Sequence, residues 1–85
     1  MKIHKLIGVR VAYFRKIRGY TQEELAGKIH ISVSSLSKIE CGKYNKNISV
    51  GMLDNISKGL GVTVVMLLSM GEKDEKVFLE SRGGI

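Results

Sequence analysis

Apolar residues recur along the chain at spacings of three and four between polar or glycine-containing breaks, a pattern that predicts a series of short amphipathic helices. In the first, Ile7, Val11, Phe14 and Arg18 share one stripe, and Gly19 supplies the permissive backbone that ends it. Thr21 opens the second. Its hydroxyl is placed to accept the Glu24 amide hydrogen while the Glu24 carboxylate returns to the Thr21 amide, the reciprocal arrangement of a capping box. Leu25, Ala26 and Ile29 then face inward. Ser32 caps a third helix, in which Leu36 and Ile39 point back to the core and which stops near Gly42. Residues 43–47, Lys-Tyr-Asn-Lys-Asn, have no apolar period and form a polar loop. A fourth helix follows, capped by Ser49, built on Leu53, Ile56 and Leu60 and closed by Gly61.

Residues 62–68, Val-Thr-Val-Val-Met-Leu-Leu, are ambiguous, because β-branched enrichment over so short a run also suits a buried strand. A short fifth helix capped by Thr63 is favoured, since a strand needs a partner and no preceding segment has period two. From Glu72 onward come a charged patch, a Val77-Phe78-Leu79 cluster and a glycine-containing end. The chain therefore divides into a helical domain over residues 1–71 and a carboxy-terminal tail over 72–85, partly ordered or engaged in a dimer contact. Val9, Tyr13 and Ile17 form a second apolar stripe, roughly opposite Ile7, Val11 and Phe14. Either the tail or the amino-terminal residues cover it, or it is a contact for a partner or a second copy.

Length and composition narrow the function. Eighty-five residues, 44% apolar, describe one domain, with an expected stability of roughly 4 to 13 kcal/mol and no room for a deep catalytic cleft. The lone cysteine, Cys41, cannot form an intrachain disulfide, which fits a reducing cytoplasm. The longest apolar run falls far short of the ~20 residues that cross a bilayer, and no cleavable signal precedes it, so no membrane association is expected. No cofactor is indicated.

Charge is segregated. Residues 1–46 hold ten Lys or Arg against Glu23, Glu24 and Glu40, a balance of +7, whereas residues 47–85 hold four against five. Such an excess attracts a polyanion: nucleic acid, an acidic membrane surface or an acidic protein. Two short helices joined by a tight turn suit the DNA major groove when the second has a narrow outer face. At 100° per residue the third helix gathers Val33, Ser34, Ser37, Lys38 and Cys41 opposite Leu36 and Ile39. Short side chains let the backbone approach base edges, Lys38 can donate to guanine O6 or N7, and Val33 can meet a thymine methyl. An ordinary solvated helix face has the same look when taken alone.

The segment Thr21-Gln22-Glu23-Glu24-Leu25-Ala26-Gly27-Lys28-Ile29, followed by Ile31-Ser32-Val33-Ser34-Ser35-Leu36-Ser37-Lys38-Ile39-Glu40 and Gly42-Lys43, resembles the helix-turn-helix of Cro and the phage repressors, the xenobiotic-response-element family. The resemblance extends to Ile7-Gly8 and Phe14-Arg15 upstream. Downstream it runs through Asn47-Ile48-Ser49 to Gly61-Val62-Thr63 and Leu67-Leu68. It implies a compact all-α five-helix bundle of the lambda-repressor-like type, with helices 2 and 3 as the helix-turn-helix. It also implies a homodimer on a palindromic double-stranded operator, with Gln22 holding a phosphate and Val33, Ser34 and Lys38 in base-reading positions. Arg15 and Glu40 match a pair that in the family bridges the first and third helices.

Physical reasoning supports several of these roles. Thr21 and Gln22, and Ser32, sit at helix amino-termini whose unsatisfied amides favour anions. Lys43, Asn45, Lys46 and Asn47 form a donor-rich loop able to follow a DNA backbone, although surface loops are often polar for solubility alone.

Three features depart from the family. The turn between helices 2 and 3 has His30 where glycine is common, the loop after Gly42 is about two residues longer, and residues 72–85 extend past the core. His30 tolerates positive φ better than most residues, and with His4 as the only other histidine no metal site is indicated. The leading function is a sequence-specific transcriptional regulator, a repressor or autoregulator. Phage-type repressor, antitoxin with a toxin partner, and restriction-modification controller remain open within that class. A protein-interaction module is the alternative from another class. An enzyme is not expected, since the three amino-half glutamates are accounted for by capping and pairing.

Overall fold

The computed structural model describes residues 3–44 and 47–69. Over them run five helices, α1 (Ile3–Ile17), α2 (Gln22–Lys28), α3 (Val33–Glu40), α4 (Val50–Leu60) and α5 (Val64–Leu68), with no strand among the described residues. Residues 62–68 thus form a helical turn. Thr63 Oγ1 accepts the Met66 amide at 3.1 Å, and one turn suffices to send Leu67 into the core while Val65 and Leu68 face outward.

The helices begin and end by repeated local chemistry. Thr21, Ser32, Ser49 and Thr63 each cap a helix by accepting an amide hydrogen from the first turn. At α2 the capping box is complete, with Glu24 N to Thr21 Oγ1 at 3.0 Å and Thr21 N to Glu24 Oε1 at 2.9 Å. The first four helices end in the same closure. An amide just beyond each helix returns to a carbonyl five residues back: Tyr20 to Arg15, Ile31 to Ala26, Lys43 to Lys38 and Val62 to Ser57, at 2.8 to 3.0 Å. This Schellman geometry needs one left-handed residue per helix end. Gly19, Gly42 and Gly61 supply it at φ near +70°, and His30 supplies it between α2 and α3 at φ +58°. Asn55 of α4 donates to the Ile29 carbonyl at 2.7 Å, fastening that turn to the bundle.

The core is one cluster drawn from all five helices, including Ile7, Val11 and Phe14 of α1, Leu25, Ala26 and Ile29, Leu36 and Ile39, Leu53, Ile56 and Leu60, and Leu67. Helix α1 organises it. Gly8 lies so close to α3 that a Cβ there would strike the Ile39 carbonyl and come within 2.8 Å of the Glu40 carbonyl oxygen, so only glycine allows this crossing. Arg10 donates through Nε and Nη2 to the Met66 carbonyl at 3.2 and 2.7 Å while lying over the Phe14 ring, which docks α5. Arg18 donates to the Leu60 and Gly61 carbonyls at 2.9 and 3.1 Å, closing the end of α4.

The second stripe of α1 divides. Val9 is buried together with Ala12, Tyr13 is half-buried against them, and Ile17 remains 55% exposed. The tail from residue 72 and its Val77-Phe78-Leu79 cluster lie outside the described residues.

Two measurements check the local chemistry. His30→Gly removes a Cβ from a left-handed position and should raise stability by about 1 kcal/mol in urea unfolding; a loss would count against strain at this turn. Hydrogen bonds from the Thr21 amide, and secondarily the link to its hydroxyl, hold the Glu24 carboxyl below its ordinary value. The folded chain therefore binds fewer protons here than the unfolded chain, and this contribution is present above the ordinary carboxylate range and lost as pH falls through it. Glu24→Gln should show a shallower fall in melting temperature than the wild type on acidification, and parallel curves would contradict the cap's charge dependence.

Candidate nucleic-acid interface

The interface is built where α1, α2 and α3 meet. Leu36 and Ile39 are fully buried and fix the inner face of α3, so its rotation is set. That rotation leaves Val33, Ser34, Lys38 and Cys41 exposed, with Ser37 half-buried at the margin. Ser32 stands at the amino-terminus of the same helix. Its Oγ accepts the Ser35 amide at 3.0 Å and lies 2.9 Å from Ser35 Oγ, so the cap hydroxyl is engaged within the helix.

The tilt of α3 is set from below. Glu40, the last residue of the helix, carries a carboxylate where the helix dipole disfavours one. Arg15 of α1 compensates with a two-pronged contact, Nε to Oε2 at 2.7 Å and Nη2 to Oε1 at 3.1 Å, between side chains only 12% and 6% exposed. Arg15 Nη1 also donates to the Tyr20 carbonyl at 2.9 Å, tying the pair to the turn before α2. Gln22 completes the junction, donating Nε2 to Glu40 Oε1 at 3.1 Å. One carboxylate thus links α1, α2 and α3, and its charge is neutralised before it can face a polyanion.

An open recess of about 520 Å³ lies over this junction, lined by Arg15, Thr21, Gln22, Glu23 and Val33. Thr21 and Gln22 thus stand beside the outer face of α3. With only seven residues α2 has a weak dipole, so the group Gln22 offers at this surface is its side-chain amide, which keeps one N–H and the oxygen beyond the bond to Glu40. Lys43 is exposed just past α3. Asn45 and Lys46 lie outside the described residues.

Of the site expected from sequence, Thr21, Gln22 and Val33 line one recess with Arg15. Ser34 and Lys38 are exposed on the same helix as Val33, with Ser32 at its start and Ser37 at its margin, and Lys43 is exposed just past its end. Sequence reasoning missed that Gln22 is also part of the Arg15 and Glu40 pair. It missed as well the docking roles of Arg10 and Arg18, for which the one available signal was an arginine, Arg18, lying on an apolar stripe.

Comparison with known proteins agrees with this geometry. A family model described as a helix-turn-helix matches residues 11–67, and the chain belongs to this family, the helix-turn-helix transcriptional regulators of Cro and phage-repressor type. It is 41% identical over 70 residues to the HTH-type transcriptional regulator SinR of Bacillus licheniformis, covering 82% of this chain and 60% of that protein. It is 33% identical over 66 residues to the competence pilus inhibition repressor of Acinetobacter baylyi, covering 78% and 58%. The chain thus spans about 60% of the length of these curated relatives. The hypothetical transcription factor NHTF from Neisseria has the same fold, with a TM-score of 0.76 over 89% of this chain and 85% of that one at 22% identity.

If the junction sets the fold as described, Glu40→Ala should cost about 3 kcal/mol in chemical denaturation, because it leaves the buried Arg15 guanidinium without its counter-charge. A cost within the range of an ordinary surface substitution, ±0.5 kcal/mol, would show that the pair is dispensable.

Proposed function

We propose that this chain binds double-stranded DNA sequence-specifically and acts as a cytoplasmic transcriptional repressor or autoregulator, with α3 in the major groove. The observation that carries the reading is the outer face of α3. It presents small and donor-bearing side chains on a helix whose rotation is fixed by Leu36 and Ile39 and whose tilt is fixed by Arg15 and Glu40. Lys38 donates to guanine, Val33 meets a thymine methyl, and Ser34 and Ser37 make short polar contacts to base edges. Gln22 and Thr21 meet the phosphate beside the groove, and Ser32 flanks it. Lys43, Asn45 and Lys46 follow the backbone further along. The names of the relatives, a transcriptional regulator and a repressor, support the same reading.

Binding as a homodimer on a palindromic operator follows from the small footprint of one domain. Two copies related by a twofold axis would place their α3 helices in successive major grooves, about 34 Å apart. The outward apolar side chains of α5, Val65 at 70% and Leu68 at 39% exposure, support association through that helix. No helix among the described residues is long and apolar enough to cross a membrane.

Selection of bound fragments from random duplex DNA tests this directly. Lys38→Ala should change the selected sequence, whereas Lys43→Ala should leave the preference intact and lower the slope of log affinity against log salt by about 1. If neither variant altered preference or slope, the proposed DNA face would be wrong.

A further inference from the structure

Three residues on one face of α1, Lys5, Gly8 and Arg15, lie within about 80° of one another at 100° per residue, and each meets the carboxy-terminal end of α3. Arg15 holds the Glu40 carboxylate, and Gly8 lies against the Ile39 and Glu40 carbonyls. Lys5 lies across Gly42. A Cβ on Gly42 would stand 2.7 Å from Lys5 Cγ and 3.1 Å from Lys5 Cα, so the bare glycine backbone leaves the room that the lysine stem occupies. Gly42 is also left-handed, at φ +71°, and the turn it makes carries the Lys43 amide back to the Lys38 carbonyl at 2.8 Å. Lys5 is exposed, as are Lys38 and Lys43, and none of the three makes an ion pair among the described residues. Glu40, the carboxylate at this end of α3, is already taken by Arg15 and Gln22.

We propose that Lys5 is a further phosphate-binding residue, which grips the DNA backbone together with Lys43 at the carboxy-terminal end of α3. The inference rests on the reading of α3 as the DNA-facing helix and extends that surface to the first turn of α1. Uncompensated cations gathered at one point favour a polyanion. A duplex carries one charge per ~1.7 Å of its axis, so a phosphate is within reach of each of two neighbouring lysines. Lysine suits the task, because its ammonium is a compact point charge on a flexible stem. Here the stem is steadied by packing on Gly42 while the residue stays exposed. The contact carries no base information, and its effect is on affinity and register. It ties to the DNA backbone the same helix that holds α3 through Gly8 and Arg15. A cation at the end of a helix also gains from its dipole, which makes a purely structural role the competing assignment.

Salt-dependent binding of the full chain to a duplex recovered by selection separates the two. Lys5→Gln keeps most of the stem and removes the charge. It should lower the slope of log affinity against log salt by about 1, so that a fourfold rise in salt weakens the variant about fourfold less than the wild type. The selected sequence should be unchanged, the melting temperature should stay within about 3 °C of the wild type, and Lys5→Arg should restore the slope. Combining Lys5→Gln with Lys43→Ala should lower the slope by about 2. An unaltered slope in Lys5→Gln, with Lys43→Ala lowering it as expected, would overturn the role of Lys5 and leave α3 as the DNA face. A lower melting temperature with an unaltered slope would assign Lys5 to the helix end alone and overturn the proposal equally. If no variant altered slope or preference, Lys38→Ala and Lys43→Ala included, the DNA reading would fall and this inference with it.

Discussion

The orientation of α3 depends on one crowded junction, where Gly8 lets α1 approach the end of α3 and Arg15 grips Glu40 with two hydrogen bonds. Close backbone approach alone would leave a short helix free to rock, and an ion pair alone would fix only a distance. Together they set position and tilt. The net stabilisation from such a pair is small, because desolvating both charges offsets most of the attraction and an apolar pair of similar volume often serves as well. Its distinctive contribution is direction. The planar guanidinium and carboxylate admit one mutual geometry, and Gln22 extends that geometry to α2.

Around this junction the bundle is stabilised by burial and by completed hydrogen bonding at helix ends. Helices of five to fifteen residues are marginal in isolation, so the stability of each comes from the leucine, isoleucine and valine side chains it contributes to the shared core. Hydroxyl caps satisfy first-turn amides, and left-handed closures satisfy last-turn carbonyls. Arg10 and Arg18 extend the same economy to tertiary structure, since each guanidinium satisfies a carbonyl of another helix while docking that helix on α1.

Much of this was legible in the sequence because the determinants are local. Thr21, Ser32, Ser49 and Thr63 each precede a run with helical period, and a hydroxyl at that place has one dominant use. His30 was legible through resemblance: it stands where the family commonly has glycine and tolerates positive φ, and it is left-handed at φ +58°. The Arg15 and Glu40 pair came through resemblance and is present. What was not legible depends on tertiary placement. A backbone carbonyl leaves no mark in a sequence, so the targets of Arg10 and Arg18 could not be read. Gln22 was assigned to phosphate alone, because nothing local places it beside a residue eighteen positions away. The outer stripe of α1 was seen as a unit, but its burial ends after Tyr13 and Ala12 joins it in place of Ile17.

The central claim is that α3, held by the junction with α1, is the surface that meets DNA. Titrating the isotopically labelled full chain with a duplex recovered by selection, while following backbone amide shifts, tests it most directly. The account predicts that the largest changes fall on Gln22, on residues 33–38 and on Lys43, with α4 and the outer face of α1 little affected. Changes concentrated on α4, α5 or the Val9 and Ala12 face, with α3 unmoved, would contradict it, as would selection that recovered no preferred duplex.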